Sequence, residues 1–197
     1  MGSGFLNQKD EKYASFKAIV DDSLTEVTAD MLNGITTITD YAFAGCQNLE
    51  SVTLPGTVNT IDNYAFSNCS KLSNVVMQNG VTSIGDAAFY SCRSLTSITL
   101  PTSLDSIGAI AFRECTSLNN ITIPSGVTNI GHNTFSGCSS LSSVTVEATT
   151  PPSLGSGVFS STSSSLVIYV PSGSVETYKT ANNWSTYADK IQAIPSP

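Results

Sequence analysis

Ile107-Gly-Ala-Ile-Ala-Phe112-Arg-Glu-Cys115-Thr-Ser-Leu118-Asn-Asn-Ile121-Thr-Ile123-Pro124 is one copy of a pattern that recurs along most of the 197-residue chain. The cysteines Cys46, Cys69, Cys92, Cys115 and Cys138 are each 23 residues apart. Phe43, Phe66, Phe89, Phe112 and Phe135 keep the same step, as do Ile38, Ile61, Ile84, Ile107 and Ile130, and Leu49, Leu72, Leu95, Leu118 and Leu141. Two more ranks follow: Val52, Val75, Ile98, Ile121, Val144, and Leu54, Met77, Leu100, Ile123, Val146. Chance does not align six ranks. A unit this short cannot close a core alone, but stacked units bury one continuous core.

Within a unit, Leu95-Thr-Ser-Ile-Thr-Leu100 alternates Ile98 and Leu100 with Ser97 and Thr99, which is strand periodicity. Pro55, Pro101 and Pro124 follow their strands, where a missing N–H ends pairing. Gly80 and Gly126 precede Val81 and Val127, as a tight corner requires. Asp86-Ala-Ala-Phe89-Tyr-Ser-Cys92 reads as a short helix or 3-10 turn on the convex side. The expected fold is an α/β solenoid of about five to six coils with a parallel β ladder on one face.

The motif is specific enough to carry a resemblance. Leu118-Asn-Asn-Ile-Thr-Ile-Pro124, Val127-Thr-Asn-Ile-Gly131 and Ala111-Phe112-Arg-Glu-Cys115 resemble the repeats of the BspA-like leucine-rich repeat family. The likeness covers about residues 35–146. Ile168-Tyr-Val-Pro171, Val175-Glu-Thr-Tyr178-Lys and Trp184-Ser-Thr-Tyr187 resemble the family's closing segment. Gln78 and Glu147 depart from it by replacing the proline, and Thr134 by replacing the alanine before Phe135. The resemblance implies a surface-displayed, non-enzymatic protein that binds host or matrix proteins, cells or other microbes. It implies equally a module carried on the exposed parts of gut-bacterial phages.

Both ends of a solenoid need closing, because an open end exposes core. Tyr13, Phe16, Ile19 and Val20 fit one face of a helix from about Lys9 to Val20. Leu24 and Val27 repeat the spacing of Leu49 and Val52, a degenerate first repeat. At the other end the step from Phe135 to Phe159 is 24, not 23. There Ser160–Ser165 reads as a loop, Val167–Val170 as a last strand and Val175–Tyr187 as a helical cap with Tyr178 and Trp184 inward. The chain divides into an N-terminal helical cap with the degenerate repeat (1–34), the repeats (35–150) and a capping strand and helix (151–197).

Composition narrows the chemistry. Eight basic and 15 acidic residues leave a net charge of −7, which argues against nucleic acid and against an anionic membrane surface. Charged residues make 12% of the chain, against roughly 25% in average proteins, while Ser (31) and Thr (23) exceed a quarter of it. The surface is therefore neutral and hydroxyl-rich. No two cysteines have zinc-ligand spacing, so they read as buried free thiols and no metal or cofactor is expected. His132 is the only imidazole and falls in a repeat-variable turn with Asn63, Asp86 and Ala109. Asp62, Asp86 and Asp105 fall at three different phases of the repeat and form no rank, and Gly155-Ser-Gly157 precedes no lysine. The acids Asp10, Glu11, Asp21, Asp22, Glu26 and Asp30 read as a solvated cap, not a calcium site. The chain is expected not to be an enzyme.

What remains is surface. The outward strand positions form two uncharged ranks: Ser51, Asn74, Ser97, Asn120, Ser143, and Thr53, Val76, Thr99, Thr122, Thr145. Ser and Thr suit any solvated sheet face, but the strip is also the candidate binding face for a protein or glycan. At about 4.8 Å per strand and roughly 7 Å across, it covers on the order of 150 Å². A standard interface takes roughly 800 Å² per partner, so useful avidity calls for several copies or help from loops and caps. An ice-binding face is a remote alternative, since Val76 breaks the Thr rank. Phe5 and Leu6, outside the helix pattern, are candidate assembly-docking residues.

Residues 1–20 have charges where a secretory signal needs an apolar stretch, and no run approaches a membrane span. On that reading the preferred expectation is an externally displayed phage virion protein contacting the host surface or neighbouring virion proteins. The alternative is a bacterial cell-surface adhesin binding a host or matrix protein.

Overall fold

A computed structural model describes residues 23–196. Each coil runs through a long strand, a corner, a two-residue strand and a series of turns, then returns one layer further on. The short strands Thr37–Ile38, Thr60–Ile61, Ser83–Ile84, Ser106–Ile107, Asn129–Ile130 and Ser153–Leu154 form one unbroken six-stranded parallel sheet. Their isoleucines pair one repeat apart, Ile38 with Ile61 and Ile61 with Ile84, so the inward rank of the sequence is the register of the sheet. Val27 pairs with Val52, which makes the degenerate first repeat part of the stack. The expected helix over about Lys9–Val20 lies outside the described residues.

The long-strand ladder is not continuous. Ser51–Leu54 and Asn74–Met77 pair over four residues, as do Asn120–Ile123 and Ser143–Val146. Between them, the segment whose alternation announced a strand, Leu95–Leu100, makes only an isolated bridge from Thr99 to Thr122 and no ladder with Asn74–Met77. The residue after each strand explains the pattern. Gln78 N–H donates to Leu54 O at 3.1 Å and Glu147 N–H to Ile123 O at 3.0 Å. Both coils pair fully with the coil before. Pro101 and Pro124 have no N–H to offer, and their coils pair poorly with the preceding one. At the break, side chains span the corner instead: Gly80 N–H donates to Ser103 Oγ (3.0 Å) and Thr102 N–H to Asn79 Oδ1 (3.3 Å). Gly80 itself is pressed against the coil on its other side, where an added Cβ would sit 2.2 Å from Gly56 O.

Of the two forms expected on the convex side, a short helix or a 3-10 turn, the structure has turns. Over Asp86–Cys92 the N–H groups of Ala88, Tyr90 and Cys92 donate to the carbonyls three residues back, and Tyr64, Ala87, Ile110 and Asn133, and again Asn68, Ser91 and Glu114, lie in the left-handed region. The reason is hydrogen-bond accounting. The N–H groups of Tyr64, Phe66 and Asn68 donate to the carbonyls of Asp86, Ala88 and Tyr90 in the next coil. A helix would spend those donors within its own coil and leave adjacent coils unjoined.

Behind these faces lies the core. Phe43, Phe66, Phe89, Phe112, Phe135 and Phe159 form a continuous stack with centroids 5.1–5.7 Å apart and rings within 9° of parallel. Each fully buried ring contributes about 1.5–3 kcal/mol by leaving water, and each aromatic contact about 0.5–1.5 more. The five cysteines are buried thiols, as expected of apolar fillers.

The last coil is closed by polar side chains as much as by apolar ones. The tail gives a strand at Val167–Val170, an α-helix over Val175–Thr180, a 3-10 segment over Trp184–Lys190 and an edge strand at Ile191–Ala193. The expected helix through Tyr187 therefore stops at Thr180, and Asn183 turns the chain in a left-handed conformation. Tyr178 and Trp184 are fully buried. Tyr178 Oη donates to Ala148 O, Trp184 Nε1 to Pro152 O and Ser174 Oγ to Thr149 O, at 2.7–2.8 Å. Pro152 O is the counterpart of Thr128 O, which in the preceding coil accepts the Ser153 N–H of the next one, so Trp184 takes the place of a further coil there. Trp184 and Tyr187 meet Phe159 tilted and edge-on, which ends the parallel ring stack.

Candidate binding face

The ten strand-face residues all point outward, exposed or half-buried, with Val76 at 43% exposure. They do not form one strip. Ser51 lies opposite Asn74 and Thr53 opposite Val76 in one patch. Asn120 lies opposite Ser143 and Thr122 opposite Thr145 in another. Ser97 and Thr99 sit at the break, tied only to the second patch. That patch continues further than the repeat step indicates, because Thr145 pairs with Tyr169 and Ser143 with Val167. The 24-residue step at Phe159, applied to Thr145, leads to this position 169 on the expected last strand. Phe5 and Leu6 lie outside the described residues.

A second face escaped the sequence reading. The unbroken short-strand sheet presents Thr37, Thr60, Ser83, Ser106, Asn129 and Ser153 outward, a row of hydroxyl and amide groups over six coils. It is flanked by an acceptor ladder. Asp40 Oδ1 accepts the Asn63 N–H (2.8 Å), Asn63 Oδ1 the Asp86 N–H (2.9 Å) and Asp86 Oδ1 the Ala109 N–H (2.7 Å). These positions were visible as one rank of the repeat; their bonding was not. Beside them, Asp62 occupies the rank of Gly85, Gly108 and Gly131, and partial burial followed by the nearby Asp40 carboxylate raises its pKa.

His132 belongs to the same ladder. Its Nδ1 accepts the Ser156 N–H at 3.0 Å and contacts Ser156 Oγ at 2.9 Å. The pair resembles a nucleophile and base in composition alone. The nitrogen that a base would use is already engaged by a backbone donor, and the pair stands exposed on a turn. Among the described residues, no group of three or more His, Cys, Asp or Glu is placed to hold a metal. None of the described helices is long and apolar enough to cross a membrane.

The thiol column is sealed. Cys92, Cys115 and Cys138 Sγ donate to Phe66, Phe89 and Phe112 O at 3.1–3.2 Å. Burial pushes Cys92 and Cys138 up to about 12 and Cys115 well above its ordinary value. Cys69 is raised by its contact with Cys46 and by burial. A neutral, buried thiol is a poor nucleophile.

The family model for the BspA type leucine rich repeat region matches this chain in six copies, over residues 15–108 and 82–185. The chain belongs to the BspA-type leucine-rich repeat family. Its BspA-type coils superpose on those of the T. pallidum leucine rich repeat protein with a TM-score of 0.63 and 26% identity, over 88% of this chain and 87% of that one. The pneumococcal vaccine antigen PcpA matches at 28% identity and a TM-score of 0.61, over 71% of this chain and 37% of that one. A leucine-rich repeat protein from Bacteroides ovatus matches at 29% and 0.52, over 69% and 49%. The BspA-type chain thus spans about half of the Bacteroides protein and little more than a third of PcpA. No curated protein matches it.

Proposed function

We propose that this BspA-type solenoid is a non-enzymatic recognition module displayed on a bacterial surface, where it binds a protein or glycan of a host or matrix. The observation that carries the reading is the parallel-strand surface, an unbroken short-strand row and two long-strand patches, lined mainly by uncharged hydroxyl and amide groups over a sealed core. Such faces offer hydrogen bonds without a charge pattern that would select nucleic acid. Each patch is small beside a standard interface, so the module acts in several copies or together with its loops. The pneumococcal antigen among its structural relatives supports a bacterial surface. The virion reading expected from the N-terminal sequence draws no support from these relatives.

Fractionation of the source culture into envelope, soluble and particle fractions tests this, with the chain detected by mass spectrometry. Recovery from the envelope, and loss of the envelope-bound chain when intact cells are treated with protease, is the expected result. Co-sedimentation with virus particles would replace the bacterial reading with a virion one, and recovery in the soluble fraction alone would overturn both.

A further inference from the structure

The chain contains two Asn-Gly dipeptides, Asn33-Gly34 and Asn79-Gly80, two repeats apart at the same corner of the coil. We propose that Asn33 is a site of spontaneous conversion to aspartate and isoaspartate, and that Asn79 is protected from the same reaction by the coil stacked upon it. In this reaction the Gly34 backbone nitrogen attacks Cγ of Asn33. The new C–N bond closes a five-membered succinimide, the bond to the side-chain nitrogen breaks, and ammonia leaves with the amide proton. Water then opens the ring at either carbonyl. Glycine favours the step because no Cβ hinders its nitrogen.

Exposure does not separate the two sites, since both asparagines are exposed. Hydrogen bonding does. Asn79 Oδ1 accepts from Thr102 N–H at 3.3 Å and Thr102 Oγ1 at 3.2 Å, and the attacking group, Gly80 N–H, donates to Ser103 Oγ at 3.0 Å. Ser103 Oγ is anchored in turn on Val81 O at 2.8 Å. Nucleophile and electrophile are thus each held by the next coil, and attack requires those bonds to break together. The positions facing Asn33-Gly34 from its next coil are Gly56 and Thr57; Gly56 has no side chain to reach with, and among the described residues Thr57 makes no hydrogen bond to the Gly34 N–H or to the Asn33 side chain. Asn33 sits at the second position of a tight turn closed by Ile35 N–H to Leu32 O, with Gly34 at φ +81° and, among the described residues, no atom within 4 Å of where a Cβ on Gly34 would sit.

Each bond that must break slows the reaction by roughly fivefold, so Asn79 is expected to react at least about tenfold more slowly than Asn33. The test is to age the intact chain at mildly alkaline pH. Aspartate and isoaspartate at both sites are then quantified by peptide mapping, natively and in denaturant. Expected are conversion at Asn33 but not Asn79 in the native chain, similar rates at both in denaturant, and acceleration at Asn79 alone in Thr102→Ala/Ser103→Ala. Equal native rates at the two sites would overturn the proposal, as would an unchanged Asn79 rate in a folded double variant. If that variant does not fold, the native-to-denatured comparison still decides.

Discussion

Cys115 Sγ lies 3.2 Å from the carbonyl oxygen of Phe89 in the preceding coil, and that oxygen also accepts the N–H of Cys92. The thiol thereby fills the second lone pair of a buried carbonyl, a role an aliphatic side chain of similar size cannot take. The same relationship joins Cys69 to Phe43, Cys92 to Phe66 and Cys138 to Phe112. The cysteine rank is thus a bonding element as well as a filler.

Alkaline pH should unfold this protein through that column. Folded-state thiol pKa values are raised, to about 12 for Cys92 and Cys138, whereas unfolded thiols ionise near about 8.5. Above that value the unfolded state releases protons that the folded state keeps. Stability is therefore complete below about pH 8.5 and falls toward pH 12, by about 1.4 kcal/mol per thiol per pH unit. Urea denaturation under reducing conditions should show the midpoint dropping above about pH 9, and dropping less steeply in Cys92→Ala/Cys138→Ala. A pH profile identical in that variant would refute the assignment.

Phe89→Ala removes a fully buried ring that stacks at 5.3 Å on Phe66 and on Phe112. The expected loss is about 3–5 kcal/mol, read from equilibrium denaturation. A loss under about 1 kcal/mol would mean that the phenylalanine column does not carry the core.

Ala109 interrupts the acceptor ladder that runs through Asp40, Asn63 and Asp86. Ala109→Asn should supply the absent acceptor to His132 N–H and stabilise by about 0.5–1.5 kcal/mol, while Asp86→Ala should cost a similar amount. Thermal melts of both variants check this, and an unaltered melt for Asp86→Ala would argue that the ladder contributes nothing.

Hydrogen exchange should expose the break in the long-strand ladder. Amides of residues 97–99 are expected to exchange much faster than those of Asn74–Met77 or Ser143–Val146, which are paired in full four-residue registers. Pro101→Gln restores the donor that Gln78 supplies one coil earlier, and should slow exchange across the break by roughly fivefold per bond gained. Uniform protection along all the long strands of the unaltered chain would contradict the interrupted ladder.

Much of this was legible before any coordinates. Six ranks at a constant step named the core, and Tyr178 and Trp184 announced the closing segment. The misreadings share one cause. Leu95–Leu100 alternates as well as any strand here, and Asp86–Cys92 is as compact as a short helix. Yet whether either forms depends on what the neighbouring coil donates or accepts. Periodicity within a segment does not say whether the residue closing it has an N–H for the coil before: Gln78 donates one to Leu54 O, and Pro101 has none. The face over Thr37, Thr60 and Ser83 was missed because two-residue strands are too short to alternate visibly.

The sequence by itself determined the coil, its length and the side chains that turn inward, because burying a repeated apolar pattern admits one stacking register. Only the tertiary structure decided which strands pair, which carbonyls the thiols and the cap satisfy, and which of two identical Asn-Gly corners is held still. Those outcomes depend on hydrogen bonds between coils, and such bonds are set by the local backbone spacing and by side chains that meet only once the solenoid is wound.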